Sequence, residues 1–114
     1  MSAITTHVLD TSLGCPARGM EVVLDRRNPD ESWTEVGRGH TSADGRLTSL
    51  MSDQGLLAAG IYRLKFLTGA YFASQGVSGF YPAVEVQFLV DKPAGHYHVP
   101  LLLSPFGYST YRGS

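Results

Sequence analysis

The sequence predicts an all-β chain: an antiparallel two-sheet sandwich of seven or eight short strands with one short helix. Three observations predict it. Thirteen glycines and six prolines are spread along the chain and cut it into short segments, and breakers at that density favour many strands over long helices. Several segments alternate apolar and polar residues with a period of two, the pattern of a strand with one face on a core and the other in water. No stretch approaches the ~20 apolar residues of a membrane helix. At 114 residues the chain fits one domain, residues 1–114, that buries roughly two-thirds of the surface its unfolded form exposes. Two packed sheets are the natural way for so many short strands to share one core.

The elements follow in order. Residues 4–10 form a first strand, and Leu13 to Arg18 a loop. Met20, Val22 and Leu24 alternate with Glu21, Val23 and Asp25 in a second strand that Asn28-Pro29-Asp30 ends. Trp33 to Thr41 reads as a third strand. Ser42-Ala43-Asp44-Gly45 is a turn, with Asp-Gly supplying the tight-turn chemistry. Leu47 to Leu50 reads as a short fourth strand and Asp53 to Gly60 as a connection. In Ile61 to Thr68, Tyr62, Leu64 and Phe66 alternate with Arg63 and Lys65. Tyr71 to Gly76 suits one or two helical turns, too short to stand alone. Val84, Val86, Phe88 and Val90 alternate with Glu85 and Gln87, and Asp91 to Gly95 turns the chain. His96 to Ser104 and Tyr108 to Arg112 are a terminal pair of strands around Pro105-Phe106-Gly107. Leu64, Phe66, Val86 and Phe88 read as core, and Glu21, Arg63, Lys65, Glu85 and Gln87 as solvated faces.

Charge and cysteine content narrow the function classes. The net charge of -1 makes no broad electrostatic case for nucleic acid or for an anionic membrane. The one cysteine, Cys15, cannot form an internal disulfide, so nothing marks an oxidising compartment. Its neighbours Gly14 and Pro16 suggest a loop position rather than a reactive nucleophile. The N-terminus has no basic-then-apolar signal pattern and the C-terminus is not a Ser-Lys-Leu address. Cytoplasm is the default reading of that silence, with the peroxisome an alternative in a eukaryote.

Chemistry concentrates at the histidines. There are four, His7, His40, His96 and His98. His96 and His98 are two apart, so a strand turns both imidazoles to one side, with Tyr97, Val99, Leu101 and Leu103 on the other. His40, beside Gly39 at the edge of a turn, reads as a surface residue. His7 matters only where folding brings it to His98. Two histidines on one strand face plus a third is also a zinc-site composition. Without metal, hydrolysis of a cyclic amide needs a positioned water, a base, and donors for the developing oxyanion. Histidine suits the base because its pKa lies near neutrality. Arginine suits the donor because its planar fork stays charged, although Arg46 taken alone is equally a turn arginine in solvent. The last residues, rich in aromatics and hydroxyls, are either a frayed end or one tied down beside the histidines.

Three blocks carry a resemblance. Thr6-His7-Val8-Leu9-Asp10, Asp44-Gly45-Arg46 and the terminal HYHVPLLLSPFGYSTYRGS, with Phe80-Tyr81-Pro82 between them, resemble the signature blocks of the 5-hydroxyisourate hydrolases, the transthyretin-like hydrolases of urate breakdown. Tyr111-Arg112-Gly113-Ser114 is the most specific, since transthyretin, the hormone carrier of the same fold, does not end this way. The resemblance implies a transthyretin-like sandwich and ring-amide hydrolysis of 5-hydroxyisourate, without metal or other cofactor. It places catalysis at His7, Arg46, His98 and Ser114, and substrate binding at the same residues with Tyr111 and Arg112. It also implies a homotetramer, a dimer of dimers with sites in the channel between dimers. Tyr81 to Val90 and His96 to Ser104 are the candidate edges for pairing between subunits. The competing reading is a carrier that holds a small aromatic ligand in that channel.

Overall fold

The protein's structure is a computed structural model that describes residues 3–51, 57–91 and 95–114. Among them are β1 (Ile4–Asp10), β2 (Cys15–Pro16), β3 (Glu21–Arg27), β4 (Trp33–His40), β5 (Arg46–Leu47), β6 (Gly60–Phe66), α1 (Thr68–Ser74), β7 (Val84–Val90), β8 (Tyr97–Ser104) and β9 (Gly107–Thr110). One sheet runs β2-β1-β8-β9 with β5 added on β1, and the other runs β4-β3-β6-β7. The two-sheet sandwich with one short helix is therefore as expected. Among the described residues the strands number nine, because Cys15–Pro16 and Arg46–Leu47 each make a two-residue pair with β1. The expected Asp53–Gly60 connection lies outside the described residues at 53–56, and the expected Asp91–Gly95 turn at 92–94.

The core lies between the sheets and follows the period-two pattern. Ile4, Thr6 and Val8 of β1 and Tyr97, Val99, Leu101 and Leu103 of β8 are buried against Val22 and Leu24 of β3 and Tyr62, Leu64 and Phe66 of β6. Thr6 enters this core because its hydroxyl donates to the Val99 carbonyl at 2.6 Å, which satisfies a polar group that burial would otherwise penalise. Val86 and Phe88 are only partly buried, since β7 is the edge of its sheet.

Four differences from the sequence reading have physical causes. First, β1 and β8 pair in parallel, from Ile4↔Tyr97 to Asp10↔Leu103; an alternating strand pattern carries no direction, and a parallel pair needs a long crossover, here most of the chain. Second, the short strand ends at Leu47 rather than Leu50. Beyond it the chain crosses to β4, and a Cβ on Gly37 would stand 2.8 Å from the Leu50 carbonyl carbon. Third, the helix starts at Thr68, three residues earlier than expected, with Thr68, Tyr71 and Phe72 buried. Fourth, Arg63 is not solvated. It is 15% exposed, bonds Asp25 at 2.8 Å, and lies 4.3 Å from the Trp33 ring centroid.

β8 is also not an edge. It lies between β1 and β9, so the free edges next to it are β9 in one sheet and β7 in the other.

Candidate active site

The outer face of the β1–β8 sheet collects the polar residues that the core face excludes. On β1 the alternation turns Thr5 and His7 outward, and on β8 it turns His98 outward, with His96 just before the strand. Register then sets the neighbours: Thr5 stands opposite His98, and His7 opposite Arg46 of β5. The two histidines that the sequence could not bring together are diagonal neighbours on one face.

His7 is held by the turn before β5. Its Nε2 donates to the Asp44 carbonyl at 2.9 Å. A carbonyl only accepts, so Nε2 carries the proton and Nδ1 is the nitrogen left to accept one. The turn is built by Ser42, whose hydroxyl donates to the Asp44 carboxylate, and by Gly45 at φ 80°. A side chain at Gly45 would be strained in that region and would run into the Val8 carbonyl oxygen. Arg46 follows directly. It is 53% exposed on its side chain and lies 3.5 Å from the Asp44 carboxylate, so its fork remains largely open to a ligand.

His98 is half-buried. Its Nδ1 lies 2.8 Å from the Thr5 hydroxyl, and the same hydroxyl lies 3.4 Å from His96 Nε2. Burial holds the His98 pKa below the ordinary 6.5, and the positive charge of Arg46 and the nearby His7 and His96 act in the same direction. Its imidazole is therefore uncharged at neutral pH, the form that can take a proton.

The terminal residues are tied down beside His98. The Gly113 amide donates to the His98 carbonyl at 2.8 Å, and the two residues form an antiparallel bridge. A Cβ on Gly113 would stand 2.5 Å from His98 Cδ2, so the tail passes the ring only as glycine. The register between Leu101↔Thr110 and His98↔Gly113 is continuous, which turns Tyr111 to the histidine face and Arg112 to the other. Tyr111 is 58% exposed. Arg112 lies 4.8 Å from the Tyr97 ring centroid and lines a cleft of about 300 Å³ between β7 and β8, with Phe88 and Val99. Within one chain, then, His7, Arg46, His98 and Tyr111 share a face, and Ser114 follows the bridged Gly113. Arg112 lines a cleft to which His98 and Tyr111 also contribute. His40 is exposed at the end of β4, and Cys15 is exposed on β2. Among the described residues no three histidine, cysteine or carboxylate side chains converge as ligands of one ion, and no helix is long and apolar enough to cross a membrane.

Comparison with known proteins bears directly on this sheet. The profile of the HIUase/Transthyretin family matches residues 4–113. The chain belongs to that family. Among HIUase/Transthyretin relatives, the 5-hydroxyisourate hydrolase of Salmonella dublin is 48% identical over 111 residues, 97% of this chain and 80% of that protein. The solved structure of Klebsiella pneumoniae 5-hydroxyisourate hydrolase superposes with a TM-score of 0.86 at 37% identity, over 100% of both chains. Sea bream transthyretin in complex with thyroxine superposes at 0.88 with 35% identity, covering 97% of this chain and 94% of that one. The HIUase/Transthyretin fold thus serves both a hydrolase and a transthyretin seen in complex with thyroxine, and the site has to separate them.

The sequence reading missed one part of this face, Thr5, and placed His96 on the face without giving it a catalytic or binding role. Thr5 is two residues from His7, so the strand period alone puts it on the same side; its contact with His98 needs the parallel pairing.

Proposed function

We propose that this protein hydrolyses 5-hydroxyisourate at a ring amide to 2-oxo-4-hydroxy-4-carboxy-5-ureidoimidazoline, as a single domain and without a metal. The observation that supports this most is the placement of half-buried His98 on one sheet face with His7 and Arg46, beside the bridged tail. A carrier has no need of that trio, and the sequence likeness to 5-hydroxyisourate hydrolases adds to it.

In this reading His98 accepts a proton from water, and His7, held through its Nε2–H, positions that water with Nδ1. The hydroxide adds to the ring carbonyl carbon. Arg46 binds the substrate and stabilises the negative charge that forms on the carbonyl oxygen. The C–N bond then breaks, with the proton returned from His98 to the leaving nitrogen, which becomes part of the ureido group. Ser114, through its hydroxyl or terminal carboxylate, orders the water or a histidine. Tyr111 forms a wall of the substrate-binding set. Arg112, over the Tyr97 ring, shapes the cleft that His98 and Tyr111 also line. The assembled form is a homotetramer, a dimer of dimers, with this face lining the channel between dimers.

The test generates 5-hydroxyisourate from urate with a urate oxidase and follows its ultraviolet decay. The wild-type protein is expected to accelerate the decay strongly. His98→Ala should lose about 10²- to 10⁴-fold of that acceleration, the usual contribution of a positioned base. Decay at the spontaneous rate with folded wild-type protein would sink the reading. It would favour the carrier, for which the likeness to thyroxine-bound transthyretin speaks.

A further inference from the structure

The Thr5 hydroxyl stands between two imidazoles, and the hydrolytic step proposed for this site gives that position a use. We propose that Thr5 is a positioning residue that fixes the tautomer of His98, and that Thr5 and His96 form the outlet for the proton the reaction releases. This rests on the hydrolase reading above for its catalytic part only.

Thr5 is 3% exposed, so its hydroxyl finds its partners within the protein. It has one hydrogen to give and lone pairs to accept. Two ring nitrogens are within reach, His98 Nδ1 at 2.8 Å and His96 Nε2 at 3.4 Å. Two arrangements satisfy them. In one, the hydroxyl donates to His96 Nε2 and accepts from His98 Nδ1–H, which leaves the His98 Nε2 lone pair turned away from Thr5. In the other, the hydroxyl donates to His98 Nδ1, and the proton of neutral His98 sits on Nε2, where it blocks acceptance from water.

The charge of Arg46 favours the first. Arg46 has donors and no acceptor, and its positive field acts on His98. On the side away from Thr5, a His98 lone pair is favoured over an N–H by that positive charge. The arrangement matches a general pattern in which the partner of one imidazole nitrogen decides the chemistry of the other.

The same chain of atoms carries a proton outward. Hydrolysis of a ureide amide yields a carboxylic acid and a neutral ureido nitrogen. The acid ionises at neutral pH, so one proton must leave per turnover. When His98 takes that proton at Nε2, its Nδ1–H can pass to the Thr5 oxygen as the Thr5 hydrogen passes to His96 Nε2. Thr5 ends with one hydrogen, His98 returns to neutral, and His96, which is exposed, delivers the proton to water. His96 gives up its Nε2 proton to water, the Thr5 hydroxyl rotates back toward it, and exchange with water removes the His98 proton from Nε2 and restores one at Nδ1, with no net charge moved.

Two measurements test this on the intact protein. Long-range ¹⁵N–¹H correlation spectra read the His98 tautomer without any substrate. The wild type is expected to show Nδ1–H, Thr5→Val to shift it toward Nε2–H, and Thr5→Ser to restore it. In the decay assay, Thr5→Val should lower kcat about 10- to 100-fold, the size of effect seen when an imidazole loses its orienting partner. KM should change little, and Thr5→Ser should recover most of the loss. His96→Phe should lower kcat less, with the loss shrinking as buffer concentration rises and a small acceptor replaces the outlet. Nε2–H on wild-type His98, or undiminished turnover in Thr5→Val, would overturn the proposal. A protein that hydrolyses nothing would sink the proposed function instead, and the tautomer would still be decided on its own.

Discussion

His98 is the residue on which most of the chemistry turns, and its environment predicts a pH profile. Burial first, then Arg46, His7 and His96, hold its pKa below 6.5. All of these disfavour the charged ring, so the base remains available as pH falls. The acidic limb of kcat/KM is expected below 6.5, not at it. Arg46→Gln removes one of the opposing charges, which makes protonation easier. Its limb should move up toward 6.5, while the rate falls about 10²- to 10³-fold for loss of a charge-stabilising donor. Steady-state rates across the pH range check both, and a wild-type limb at or above 6.5 would contradict the first. At this scale part of the site was open to sequence reasoning: the two-residue spacing put His96 and His98 on one face, and the core face opposite is buried as the alternation requires. Thr5 was not, because a hydroxyl in a strand has no pattern of its own. Arg63 was misread for a related reason. A charge in an alternating strand looks solvated until its neighbours are known, and Asp25 and Trp33 reach it only through the pairing of β3 with β6 and with β4.

Among the elements, α1 owes its place to a buried contact more than to its own propensity, since seven residues are too few to be stable alone. The Tyr71 hydroxyl donates to the Asp10 carboxylate at 2.8 Å, and the other carboxylate oxygen accepts from the Ser12 hydroxyl at 2.6 Å and the Leu13 amide at 3.2 Å. The helix is thereby bolted to the end of β1, the strand that carries Thr5 and His7. Burial raises the Asp10 pKa, but the hydrogen bonds from Ser12, Tyr71 and Leu13 outweigh it and hold the group below its ordinary 3.8. A depressed carboxylate contributes stability above its unfolded pKa and loses it as pH falls through the folded one. Tyr71→Phe should therefore destabilise by about 2 kcal/mol at neutral pH, and the difference from wild type should narrow as pH falls below 3.8. Denaturant melts at neutral pH and in acid measure it; an equal difference in both would mean that the carboxylate is not the cause. The sequence placed most elements within a few residues. It did not reveal that Cys15–Pro16 would pair with β1, since two residues between a glycine and a loop have no periodicity to read.

For the whole molecule, the exposed apolar side chains predict assembly. Leu89 on the β7 edge is 70% exposed, Tyr108 on the β9 edge 42%, and Tyr111 just beyond it 58%. Unpaired edges with apolar side chains invite pairing with another copy, which is how the proposed tetramer would begin. Leu89→Lys is expected to lower the sedimenting mass and the specific activity together, while circular dichroism remains that of a β-sandwich. Full activity in a monomeric variant would show that one subunit suffices. The partition into two sheets was open to sequence reasoning, but the order of strands within them was not, because β8 was read as an edge and is interior.

The parallel pairing of β1 with β8 has a consequence in time. Thr5 and His98 lie 93 residues apart in the chain, so the loop that must close before they meet is nearly the whole protein. Long-range closure is what makes β-rich chains fold slowly, in milliseconds to seconds rather than microseconds. On a ribosome that adds about 5–20 residues each second, β3 and β4 can pair while the sheet of the histidines still lacks β8. The constellation thus comes together among the last events of folding, and no partial chain carries it.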